Sequence, residues 1–178
     1  ISKNAEIYIN YFKPVLNLLQ MNRSRTVLNE QPQFDWEWGE NTRKKHMSSC
    51  WIWESVMAHA VGYYSNYNSG TALASDQDYK GASKSFEMAG KYAITISDSI
   101  LPLWSWKETQ GIDITIKDFW ESKLYFIYAV KDICTLQFGI ASEKGLQTNN
   151  ILRLLVRAEG FNNKSLIHWF DTNNEALM

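Results

Sequence analysis

Apolar positions along the chain recur mostly at intervals of three and four, the pattern of helices that bury one face. Between Ala5 and Met21 they fall at Ile7, Tyr11, Val15, Leu18 and Leu19, a helix in which Pro14 forces a kink or a restart. Residues 22–42 are mostly polar, interrupted by Phe34-Asp35-Trp36-Glu37-Trp38, where rings and acids alternate. Period two predicts a short extended stretch or a docked loop there. A long helix is expected from about Thr42 to Asn66, with Met47, Cys50, Trp51, Glu54, Met57, Ala58 and Val61 stepping by three and four, and Asn68-Ser69-Gly70 marking its end. In the next helix, Asp76 to Ile100, the buried stripe is Ala82, Phe86, Ala89, Tyr92 or Ala93, and Ile96. Its small residues, Gly81, Ala82, Ala89 and Gly90, allow a neighbouring helix to approach closely.

Pro102, Gly111 and the polar residues between them read as a connection. Thr115 with Asp118 three positions on is a loose relative of the capping box and opens a long helix through Ala141. Its core face is Phe119, Trp120, Ile127, Val130, Cys134, Phe138 and Ala141. A helical stretch from Asn150 to about Glu159 is interrupted at Gly160-Phe161-Asn162-Asn163 and resumes from Ser165 to Phe170. Five or six helices with short polar joints predict an all-α fold with antiparallel neighbours, and helix pairs of this length suit a tetratricopeptide-like solenoid.

Composition narrows the class. At 178 residues, 45% hydrophobic and with three Pro, the chain can bury one sizeable core, so residues 1–178 are read as a single domain. Eighteen basic against nineteen acidic side chains leave a net charge of −1, and no nucleic-acid partner is expected. Asp98 and Lys131-Asp132 interrupt the most apolar stretches before they reach the ~18–20 residues of a membrane span. No transmembrane segment is expected, and any membrane association is peripheral. Cys50 and Cys134 are too few for a disulfide framework, which makes a reducing compartment the default.

The search for chemistry returns little. His46, Cys50 and Glu54 would share one helix face, but a structural zinc site needs four ligands, so neither metal nor cofactor is expected. There is no Gly-x-Ser-x-Gly elbow, phosphate loop or dinucleotide fingerprint. Asp35, Glu37 and Glu40 read as solvent-facing carboxylates beside packed rings, and catalysis is not expected. Six of the eight Trp residues form three Trp-x-Trp pairs: Trp36/Trp38, Trp51/Trp53 and Trp104/Trp106. On an extended segment such a pair shares a face and can build a flat platform for a sugar, whereas on a helix Trp51 and Trp53 point about 200° apart. Most of the eight are read as packing and interface rings, with Trp104 and Trp106 the pair left for a partner.

One segment carries a resemblance. Tyr79-Lys80-Gly81-Ala82-Ser83-Lys84-Ser85-Phe86-Glu87-Met88-Ala89-Gly90-Lys91-Tyr92 resembles the Lys-x-Ala-x-x-x-Phe-x-x-Ala-Ala-Gly-x-Phe element of BRO1 domains, with Met88 and Tyr92 as departures. Phe34-Asp35-Trp36 is similar to the family's Phe-Thr-Trp, Ser49 with Glu54 to its Ser-Leu-x-Phe-Glu, and Leu124 to Ala141 to its Leu-Ala-Gln-Ala-Gln-Glu helix. Ala129 and Asp132 keep that last pattern loosely, and Leu136 to Ala141 is closer to divergent plant and protist members. The likeness spans about residues 34–145 and is shorter than a complete BRO1 domain.

The resemblance implies a curved, BRO1-type helical scaffold without catalytic activity, cytoplasmic and endosomal, that docks an amphipathic helix of an ESCRT-III subunit during endosomal sorting and membrane remodelling. Tyr128-Ala129-Val130-Lys131-Asp132 replaces the polar run of the family's helix. The partner surface is placed on Tyr125, Tyr128 and Leu136, which lie off the Phe119–Ile127–Cys134 stripe, together with Trp104 and Trp106. Two other readings stand beside it. One is a permanent structural subunit of a larger, organellar assembly in a mitochondrion or plastid, which the high Trp and Tyr content would suit. The other is an aromatic carbohydrate-binding module.

Overall fold

The structure, a computed structural model, describes residues 2–21, 34–37, 45–48, 51–103, 116–142 and 147–175. The described elements are α1 (Ser2–Met21), a hairpin of β1 (Phe34–Glu37) and β2 (Lys45–Ser48), α2 (Trp51–Ser75), α3 (Tyr79–Ile94), α4 (Ile116–Ala141) and α5 (Thr148–Glu175). A π-helical turn, Thr95–Ile100, and a 3-10 turn, Leu101–Leu103, extend α3. The architecture is all-α apart from the hairpin, whose antiparallel register pairs Phe34 with Ser48 and Trp36 with His46. The extended stretch expected at Phe34-Asp35-Trp36 is therefore a strand. The helix expected from Thr42 starts instead at Trp51. His46 sits on β2, so the helical His46–Cys50–Glu54 face does not form.

From α2 to α5, successive helices run antiparallel, as their contacts demonstrate. Along α2 and α3, Gly62 meets Tyr92 and Gly70 meets Phe86. Between α3 and α4, Ser83 bonds Thr135 at 3.0 Å and Lys131 pairs with Glu87 at 3.5 Å. Between α4 and α5, His168 faces Asp118, Ser165 faces Ser122 and Arg157 faces Asp132. Each of the three middle helices is thus flanked by its sequence neighbours.

The α3 stripe is the expected one. Ala82, Phe86, Ala89, Tyr92, Ala93 and Ile96 are all buried, and Tyr128 of α4 closes onto Gly90. Around it, Tyr63 of α2 packs edge-on against Trp120 of α4 at 5.5 Å and stacks with Tyr67. Rings at such angles add to the area they bury. Trp53 and Trp120 are core residues, in keeping with the packing role expected for most of the tryptophans.

Three expected features change. Gly70 does not end α2, which continues to Ser75, because its bare backbone is the seat of the Phe86 ring; a Cβ there would lie 2.7 Å from a ring carbon. The turn that follows holds Gln77 at φ 63°, and Asp78 caps α3 by accepting the Gly81 N–H at 2.9 Å. In α1, Ile7 and Tyr11 are exposed, and Ala5 and Phe12 are buried instead, while Val15, Leu18 and Leu19 have no described side chains. Pro14 lies inside that helix without ending it. Finally, Gly160 does not break α5: Leu154, Ala158 and Ser165 are buried on one continuous face with Phe161 between them, and this packing outweighs the ~1 kcal/mol cost of one Gly.

Candidate protein-interaction surface

The α4–α5 interface uses the side chains expected to be available to a partner. Tyr125 stacks on Phe161 and on His168, at 6.3 and 5.5 Å. Tyr128 lies 5.2 Å from Phe161, and Leu136 is only 7% exposed. All three are therefore engaged within the chain. Trp104 and Trp106 lie outside the described residues.

Polar pairs fix α5 on this seat. Arg157 donates through Nε and an Nη to both oxygens of Asp132, each at 2.5 Å, and Asp132 is buried. That bond holds the Arg157 guanidinium above its ordinary pKa against the opposing effect of desolvation. Ser165 donates to the Ser122 carbonyl at 2.8 Å in the buried seam. His168 Nδ1 lies 3.0 Å from Asp118 and 3.2 Å from Glu121. These three residues could each offer one donor to a cation, their candidate atoms lying within 4.8 Å of one another. As placed, the imidazole bridges both carboxylates and ties the far end of α5 to the start of α4.

Exposed apolar side chains on α5 and α4 fall into two rows. On α5, Leu152, Leu155, Val156, Leu166 and Ile167 project from the face opposite the buried Leu154–Ala158–Ser165 line, with exposures from 45 to 67%. Helical steps of 100° put all five within about 120° of one another, on one side of the helix, as two clusters, Leu152–Val156 and Leu166–Ile167, with the exposed Glu159 and Asn163 between them. On α4, Phe126, Ile133 and Ile140 recur every seventh residue and are 36 to 54% exposed. Phe138, expected in the core, is 43% exposed and carries the Lys80 ammonium over its ring.

Such rows were hard to read beforehand because α4 is apolar around most of its circumference. Among the described residues it is the one helix long and apolar enough by composition to cross a membrane, contrary to the expectation that no segment reaches that level. In the folded chain α3 and α5 pack on it, and 33% of that apolar window is buried. Cys134 is buried there, and burial raises its thiol pKa, which disfavours the reactive thiolate. Comparisons with models of protein families, with characterised proteins and with solved structures found no match.

Proposed function

We propose that this protein is a non-catalytic helical scaffold that binds an amphipathic helix of a partner protein on the outer row of α5. The supporting observation is that α5 is apolar on two opposite faces, of which α4 covers one. A helix of this kind is normally covered on both sides, and five large aliphatic side chains on one side of a helix exceed the scattered exposure usual on a monomer. Their spacing at i, i+3, i+4 matches that by which helices interlock. The BRO1-like segment at Tyr79–Tyr92 makes an ESCRT-III C-terminal helix the first partner to test.

The experiment is a titration of that helix against the protein and against Leu155→Asp and Ile167→Asp variants. Both positions face solvent, so the variants should remain folded by circular dichroism and lose binding at least about tenfold. Unchanged affinity in both folded variants would sink the α5 surface. The same row favours a second reading, a permanent subunit of a larger assembly. An obligate interface would leave the isolated protein poorly soluble, with Leu155→Asp and Ile167→Asp improving its solubility.

A further inference from the structure

A second site lies on the opposite side of the core from α5. The inner side of α1, the first half of α2 and the π-helical turn enclose a cleft of about 520 Å³. Small-molecule sites span roughly 300–1,000 Å³, so this one has the size for a ligand. Ile9 and Phe12 form one apolar wall and Ile100 and Leu103 the other. Of the polar groups among them, Ser55, His59 and Lys13 each have a definite state.

Ser55 is 1% exposed, yet its Oγ has no hydrogen-bond partner. A buried hydroxyl left unpaired is costly and calls for an explanation. His59 lies one turn further along α2, and its Nδ1 bonds the Ser55 carbonyl at 2.7 Å, so that nitrogen carries the proton. Burial lowers the imidazole pKa below its ordinary value, with Lys13 adding to the effect against the carbonyl bond, so the ring is neutral near pH 7. His59 therefore supplies no charge, and because it holds the Ser55 carbonyl rather than the hydroxyl it does not activate that hydroxyl as a nucleophile. Lys13 is the charged residue among the described lining residues, and none of them is a carboxylate. The wall that holds Ile100 is the π turn, where the Leu101 N–H reaches back to the Ile96 carbonyl; such turns recur at functional sites.

We propose that this cleft binds a small amphipathic carboxylate, its head held by the Lys13 ammonium and the Ser55 hydroxyl and its aliphatic body between Phe12 and Ile100. A charged head pairs the Lys13 cation and the Ser55 hydroxyl, and an apolar body lies against four apolar side chains. The whole protein is titrated with decanoate and with decanol, the uncharged analogue, by calorimetry. Saturable decanoate binding is expected below about 1 mM, with decanol at least about tenfold weaker. Lys13→Met should remove that preference, and Leu103→Trp, at the rim, should abolish binding of both. Leu155→Asp on α5 should change neither, which separates this site from the partner surface. Ser55→Ala should leave the free protein as stable as before or more so, while weakening decanoate. No saturable binding, equal affinity for the two probes, persistence in Leu103→Trp, or destabilisation of the free protein by Ser55→Ala would each overturn the proposal.

Discussion

Replacing Arg157 by Met should destabilise the protein by about 2–3 kcal/mol, because it strands a buried charge. The Asp132 side chain is 4% exposed and sits mid-way along α4, facing α5, with both oxygens bonded to the guanidinium. Losing one partner of a fully buried pair costs roughly 3–5 kcal/mol. The Arg157 side chain is 52% exposed, so its own desolvation is partial and water gains a route to the freed carboxylate. The expected loss therefore falls below that range, at about 2–3 kcal/mol, after the discount for solvent screening. Urea unfolding measures the loss as a lower midpoint at constant slope, and melting should fall by roughly 4–12 °C for a chain of this size. Removing the stranded charge as well, in Asp132→Ala with Arg157→Met, should recover at least half the loss. Arg157→Met within about 0.5 kcal/mol of the parent, or a double variant no better than the single one, would refute the account of a buried, charge-dependent seam.

Two glycines should respond in opposite directions. Gly160→Ala has nothing within 4 Å of the new Cβ and should stabilise α5 by about 0.5–1 kcal/mol in thermal unfolding, whereas Gly70→Ala drives a methyl into the Phe86 ring and should cost about 1–3 kcal/mol. Because burial depresses the His59 pKa, the unfolded chain binds more protons once pH falls below about 6.5; the stability His59 contributes is complete above that pH and is lost as pH falls through the folded value. A His59→Gln variant should show a flatter melting profile between about pH 5 and 7, and a profile as steep as the parent's would contradict the assignment. Asp78→Ala removes the acceptor for the Gly81 N–H and should cost about 1 kcal/mol, read by chemical denaturation.

The sequence by itself determined where most helices lie and how the most contrasted one faces. In α3 small and large apolar residues alternate with charged ones, so periodicity identifies Ala82, Phe86, Ala89, Ala93 and Ile96 as its buried side without any partner in view. The start of α4 was equally legible, one residue beyond Thr115. The tertiary structure decided what local pattern leaves open. Gly70 and Gly160 both read as breaks, and both lie inside helices, one because Phe86 occupies its missing side chain and the other because α4 supports a face that runs past it. α4 is apolar on more than one side: its period identifies Trp120, Ile127 and Cys134 as core, with Phe119 and Val130 against them, but not which second face is covered, where Tyr125 and Tyr128 meet Phe161 of α5 while Phe126, Ile133 and Ile140 stay exposed. The cleft had no linear signal at all, since Lys13, Ser55 and His59 acquire a common purpose only when α1 and the π turn close against α2. Local sequence sets a helix's period and its ends when the chemistry is strong, but the choice among several apolar faces belongs to whichever neighbours arrive to cover them.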